Sequence, residues 1–110
     1  MKTRLIIAAA CMMLASLPAF ADGNAAAGKV KSQMCQACHG PTGNSTNPAF
    51  PRLAGQHKSY LIKALMDYRS GARKNPIMNS FAAHLTNRDI EDIAAYFSSQ
   101  KGLTVYPPKH

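Results

Sequence analysis

Cys35, Cys38 and His39 stand within the run QMCQACHG, and their types can bind a metal, form a disulfide or bond covalently to a cofactor. Four chemistries compete for that spacing. A structural zinc site needs a second pair of ligands, and the remaining histidines, His57, His84 and His110, are not paired at metal-ligand spacing. A thioredoxin-like pair expects a strand before it and a βαβ setting, which the surrounding sequence does not offer. An ordinary disulfide in an oxidising compartment uses both thiols but leaves His39 unexplained. C-x-x-C-H is also the attachment signature for c-type haem. Two thiols on one helical turn add across the vinyl groups of the porphyrin, and the adjacent imidazole points at the iron. Only this last chemistry uses all three residues.

Helices must present these groups. Ala27, Val30 and Met34 recur at i, i+3, i+7 and predict a short amphipathic helix over 24–34 that runs into the cysteine pair. The next stretch, GPTGNSTNPAFPRLAG over 40–55, has eleven Gly, Pro, Asn, Ser or Thr among sixteen residues and fits no regular element. So long an irregular segment is uncommon unless it wraps something. From about His57, Tyr60, Leu61, Ala64, Leu65 and Tyr68 form one apolar stripe that ends at Gly71, a C-terminal cap. A loop, KNPIMNS, follows. The last helix opens at Thr86, with Asp89 completing a capping box, carries Ile90, Ile93, Ala94 and Phe97 on one face, and is closed by Gly102 and Pro107-Pro108. The expectation is an all-α chain of three main helices with irregular loops around one haem.

The other face of the iron needs a ligand if nothing is to bind or leave on redox change. Met34 adjoins Cys35 and is tied to the histidine side, and Met66 sits among helix core positions as a gap-filler. Met78 lies in the loop between two helices, 39 residues after His39, with slack to reach the opposite face. It is the expected axial partner, and a thioether opposite histidine raises the potential. His84 is the rival ligand, but its setting just before a helix reads as a surface position.

The first 21 residues read as a leader. Lys2 and Arg4 precede an apolar run from Leu5 to Leu17, and Ala19-Phe20-Ala21 supplies small residues at a cleavage site. The run to Phe20 is shorter than the roughly 20 residues of a spanning helix and is interrupted by Pro18, which disfavours an uncut anchor. Cys11 lacks a lipobox leucine at Ala8 and is read as discarded. The expected division is a leader over 1–21 and one domain over 22–110, in the periplasm. The 13 Lys and Arg against 5 Asp and Glu of the full chain become eleven against five in those 89 residues, a formal +6. A chain this short benefits from a staple, and a covalent cofactor would be one.

The runs AAGKVKSQMCQACHG, FPRLAGQHKSYLIKALMDYRSGARKN and IMNSFAAHLTNRDIEDIAAYF resemble class I cytochromes c, both the small periplasmic monohaem c-553 type and one half of the dihaem c-4 type. The resemblance implies haem c held by Cys35 and Cys38, His39 and Met78 as axial ligands, and Pro51 as the residue whose carbonyl accepts the imidazole N–H. It implies that Leu53, Tyr60, Leu65 and Leu85 surround the haem, and that Gly28 lets the first helix cross the last against Tyr96 or Phe97. Arg69 or Arg73 would approach a propionate. Two departures stand out: Lys31 replaces an apolar or aromatic residue, and Phe81 replaces a second methionine.

These readings converge on a soluble single-electron carrier between redox partner proteins, with acidic docking patches suited to the positive balance. No paired carboxylates, base-activated nucleophile or phosphate-cradling loop suggests catalysis or a small-molecule substrate. The basic residues form no tract suited to nucleic acid, and membrane contact is expected only through partners. A haem subunit of a larger oxidase or dehydrogenase complex, or a sensor or peroxidase with an open distal site, remain as alternatives.

Overall fold

The computed structural model describes residues 23–103, so the leader over 1–21, Cys11 within it, and Pro107-Pro108 lie outside the described residues. Among the described residues every regular element is a helix: α1 (Ala25–Lys31), α2 (Gln33–His39), α3 (Lys58–Ser70), α4 (Pro76–Ala82) and α5 (Asn87–Ser99). α5 is the centre. Its Thr86 side chain accepts from the Asp89 N–H while Asp89 accepts from the Thr86 N–H, the expected capping box. Beyond the cap, Ile90, Ile93, Ala94, Ala95, Tyr96 and Phe97 are all buried, so the helix is enclosed on most sides.

α1 crosses α5 at Gly28. A Cβ there would overlap the Asp92 carbonyl and lie 2.9 Å from the Tyr96 Cβ, so only glycine allows the approach. Gly28 and Ser32, one turn apart, are both buried and make the contact face. This corrects the stripe expected from periodicity. Val30 and Met34 are 65% and 67% exposed, because the line of small residues, not the line of large ones, faces α5. The first helix is also longer than expected and is jointed at Ser32, where φ −92° and ψ 10° separate α1 from α2. Gln36 bridges the joint, donating to the Lys29 carbonyl at 2.9 Å and the Ser32 hydroxyl at 3.0 Å. The cysteine pair thus lies on a helix that continues to His39.

The crossing is sealed by charge. Asp92, 1% exposed, accepts from the Asn24 N–H at 2.8 Å and from Lys31 Nζ at 2.7 Å, and pairs with Arg88 Nε at 3.2 Å. Burial opposes its charged form, but the Lys31 and Asn24 hydrogen bonds and the nearby Arg88 outweigh it and hold the carboxyl below the usual range. Lys31 also meets Asp89 at 3.1 Å, and its own pKa is raised chiefly by the hydrogen bond to Asp92. The residue that departed from the family pattern therefore makes the helix crossing with its ammonium.

The stretch after His39 is irregular, as expected, and pinned. The Gly43 carbonyl accepts from the Leu53 and Ala54 N–H groups at 2.8 and 3.1 Å. Gly43 has φ +83°, and a Cβ on it would meet the Phe97 ring at 2.8 Å. The Tyr96 hydroxyl donates to the Pro41 carbonyl at 2.6 Å, and Gly55 N–H donates to the Phe97 carbonyl at 3.0 Å. The loop is thereby fastened to the last turns of α5. α3 ends at Gly71 in the left-handed region, φ +85° and ψ 3°, as its sequence implies.

Candidate functional site

Between α2, the 49–56 stretch, α3, α4 and α5 lies one cavity of about 280 Å³. Cys35, Cys38 and His39 line it from α2, Pro51 and Leu53 from the irregular stretch, Tyr60 and Leu65 from α3, and Met78 from α4. The structure brings those predicted site residues together. Leu85 is the exception: it does not line the cavity but packs against the core cluster of Leu61, Ile93, Ala94, Tyr96 and Phe97. Its carbonyl is held at 3.0 Å by Arg69 Nη1 in the turn after α4.

Both cysteines are free thiols, three residues apart on one turn of α2. Burial pushes the Cys35 thiol up, partly offset by a backbone hydrogen bond, the opposite of the lowered pKa of a redox-active cysteine. His39 is buried, and its Nδ1 lies 2.8 Å from the Pro51 carbonyl. A carbonyl can only accept, so Nδ1 is the donor here and Nε2 is left as the ring nitrogen that can face a metal. The Phe50 ring meets the imidazole edge-on at 6.4 Å between centroids.

Met78 is not in a loop, as the sequence reading had it, but on the seven-residue helix α4. Asn75 caps that helix, accepting from the Ile77 and Met78 N–H groups at 3.1 Å each, and Pro76 occupies its first turn. The Asn-Pro pair was the signal for this helix. Sequence reasoning also missed Phe50, Ile77, Phe81 and Phe97 as lining residues. His84 does not line the cavity and is exposed, in keeping with its reading as a surface residue.

The lining includes Arg52 and Arg73 but no carboxylate. Arg73 lies over the Tyr68 ring, 4.8 Å from its centroid, and 3.4 Å from the Tyr60 hydroxyl. Arg69, the other candidate for a propionate, is instead committed to the Leu85 carbonyl and, at 2.7 Å, to Asn87 Oδ1.

The donor set fits a flat apolar macrocycle with a metal at its centre. Two thiols lie a turn apart, an imidazole has its free nitrogen selected by a backbone carbonyl, a thioether comes from another helix, and the remaining walls are mostly hydrocarbon. Among the described residues no cluster of three or more His, Cys, Asp or Glu could hold a bare metal ion.

The sequence profile of the cytochrome c family matches residues 25–101. The chain is similar to cytochrome c4 of Pseudomonas aeruginosa, 49% identical over 83 residues, which is 76% of this chain and 41% of that protein. It is similar to cytochrome c-554(548) of Halomonas halodenitrificans, 45% identical over 72% of this chain and 99% of that one. Reduced recombinant cytochrome c4 from Pseudomonas stutzeri superposes with a TM-score of 0.70 at 47% identity, over 76% of this chain and 49% of that one. The chain spans about half the length of the cytochrome c4 relatives it matches. With motif, fold and relatives in agreement, the chain belongs to the cytochrome c family, as a class I c-type cytochrome whose cofactor is covalently bound haem c.

Proposed function

We propose that the protein is a periplasmic monohaem single-electron carrier rather than an enzyme, with Cys35 and Cys38 as the thioether attachments and His39 and Met78 as the axial ligands of the iron. The observation that carries this reading is one cavity lined from separate helices by the free thiols, by His39 with its Nδ1 committed to Pro51, and by Met78. When bound, haem c supplies an iron that cycles between ferric and ferrous by one electron.

The chain's own residues have defined parts in that reading. The Pro51 carbonyl fixes the His39 tautomer and ring orientation, so Nε2 is presented without rearrangement. The Met78 thioether closes the second side and favours the reduced state. Leu53, Leu61, Leu65, Ile93 and Phe97 line the cavity with hydrocarbon and keep water from the metal. An open-site sensor or peroxidase would need that second side free. Arg73, at the cavity and unopposed by a lining carboxylate, is suited to a propionate.

The partners we propose are redox proteins with acidic docking patches. Arg52 and Arg73 stand at the cavity without a lining carboxylate, whereas Asp67, Asp89 and Asp92 are paired elsewhere with Lys63 and Lys31. Such steering weakens as salt rises. We propose no nucleic-acid partner and no small-molecule substrate. No helix of the described residues is long and apolar enough to cross a membrane, and membrane contact is proposed only through partners.

The test is made on protein exported by a host with haem maturation machinery. Its intact mass is expected to equal the chain from Asp22 plus one haem, and potentiometry should give one reversible one-electron wave with no carbon monoxide binding. Bare polypeptide, or ready carbon monoxide binding by the reduced protein, would overturn the reading. Isolation in a stable complex would instead assign the chain to a larger assembly.

A further inference from the structure

Asn79 follows Met78 directly but does not line the cavity. Its side-chain amide is nonetheless fully engaged. Nδ2 donates to the Tyr68 carbonyl and to the Arg73 carbonyl, each at 2.8 Å, and Oδ1 accepts from the Asn75 N–H at 2.9 Å. The Tyr68 carbonyl is among the last four of α3, which have no partner within the helix. One amide therefore joins the end of α3, the middle of the 71–75 connection and the cap of α4. Asn75 in turn holds the Met78 N–H at 3.1 Å, and the Arg73 N–H reaches the Asp67 carbonyl at 3.0 Å.

The connection is also tied through Arg73, which lies over the Tyr68 ring and meets the Tyr60 hydroxyl. Ala82 is the buried residue of α4, while Ile77, Met78 and Phe81 line the cavity. A seven-residue helix is too short to stand on its own propensity. The hydrogen bonds of Asn75 and Asn79 therefore fix where α4 starts and how it sits on the end of α3.

We propose that Asn79 is a positioning residue for the iron's second axial ligand: it clips α4 to the end of α3 and so keeps the Met78 sulfur turned into the cavity. The inference rests on the reading of Met78 as that ligand. A small external ligand can reach the metal only when Met78 has swung away, so its apparent affinity scales with the fraction of molecules in that state. The Asn79 bonds are made in the closed state and broken when α4 moves, so removing them raises that fraction.

The test uses ferric holoprotein, with imidazole as the probe and Asn79→Ala and Asn79→Asp as variants. The aspartate keeps the acceptor oxygen and loses both donors. Each variant is expected to bind imidazole about tenfold more tightly than the parent, equivalent to about 1.4 kcal/mol, and to exchange the Ile77 and Met78 amides faster. Arg69→Ala is the control, because it breaks a different tie, to Leu85 and Asn87. It should lower stability to denaturant yet leave imidazole affinity within about twofold of the parent.

Parent-like imidazole affinity in Asn79→Ala, or an equal rise in Arg69→Ala, would overturn the clip while leaving Met78 ligation standing. A parent that lacks the methionine–ferric charge-transfer band would overturn the ligation itself, and the clip with it.

Discussion

The α1–α5 crossing and the α3–α4 connection hold their helices by different means. At the crossing, Gly28 brings backbone against backbone and Asp92, 1% exposed, is satisfied by Asn24, Lys31 and Arg88. At the connection, α4, whose Ile77 and Phe81 line the cavity, is tied by the side-chain amides of Asn75 and Asn79. The first arrangement is rigid because close-packed backbone has no alternative position. The second rests on a few hydrogen bonds worth about 1 kcal/mol each. The crossing thus rests on close backbone contact, and the connection beside the proposed ligand Met78 rests on side-chain hydrogen bonds.

The contrast can be broken first at Gly28. Gly28→Val drives a branched side chain into the Asp92 carbonyl, which cannot move without shifting α5, and should cost about 3 kcal/mol or more in denaturant unfolding of the holoprotein. Next is Asp92→Ala, which strands the Asn24 N–H and leaves Lys31 with Asp89 alone, with an expected loss of about 2–3 kcal/mol after allowing for the partial exposure of Lys31.

Asp92 also fixes a pH dependence. Its folded pKa lies below the unfolded value of about 3.9, so its stabilisation is complete above that value and is lost as pH falls through the folded pKa. Acid unfolding of the parent should steepen below about pH 4, and Asp92→Asn should remove its share of that steepness, leaving the part due to Asp89, which the Thr86 N–H also holds low. An equally steep acid limb in the variant would place the titrating group elsewhere.

Two smaller changes sharpen the comparison. Pro51→Ala keeps the carbonyl that holds His39 and should shift stability by less than about 1 kcal/mol, leaving the His39 environment intact by nuclear magnetic resonance. Val30→Ser should change unfolding by no more than about 0.5 kcal/mol, since Val30 faces solvent. A larger loss would mean that α1 presents the large residues of its stripe to α5 after all.

How far the sequence could be read varied with the kind of signal. The caps of α3 and α5 were legible because Gly71 and the Thr86–Asp89 pair have one local use. The buried face of α5 followed from periodicity, and C-x-x-C-H named its own chemistry. Gly28 was legible as a crossing point, but the apolar stripe beside it was not, since spacing alone does not say whether large or small residues face the neighbour. α4 was read as loop because seven residues give little periodicity, although Asn75-Pro76 marked its start. Leu85, expected beside the haem, packs against the core cluster without lining the cavity, whereas Leu53 and Leu65 do both, a distinction that no linear pattern encodes. The Asp92 and Asn79 networks join residues up to 68 positions apart, and nothing local announces them.

The most direct measurement is the near-infrared spectrum of the ferric holoprotein beside that of Met78→Ala. The parent is predicted to show the low-spin methionine–ferric charge-transfer band. The variant should lose that band while retaining covalently bound haem. A band unaltered by Met78→Ala would contradict the assignment of Met78 to the second side of the iron.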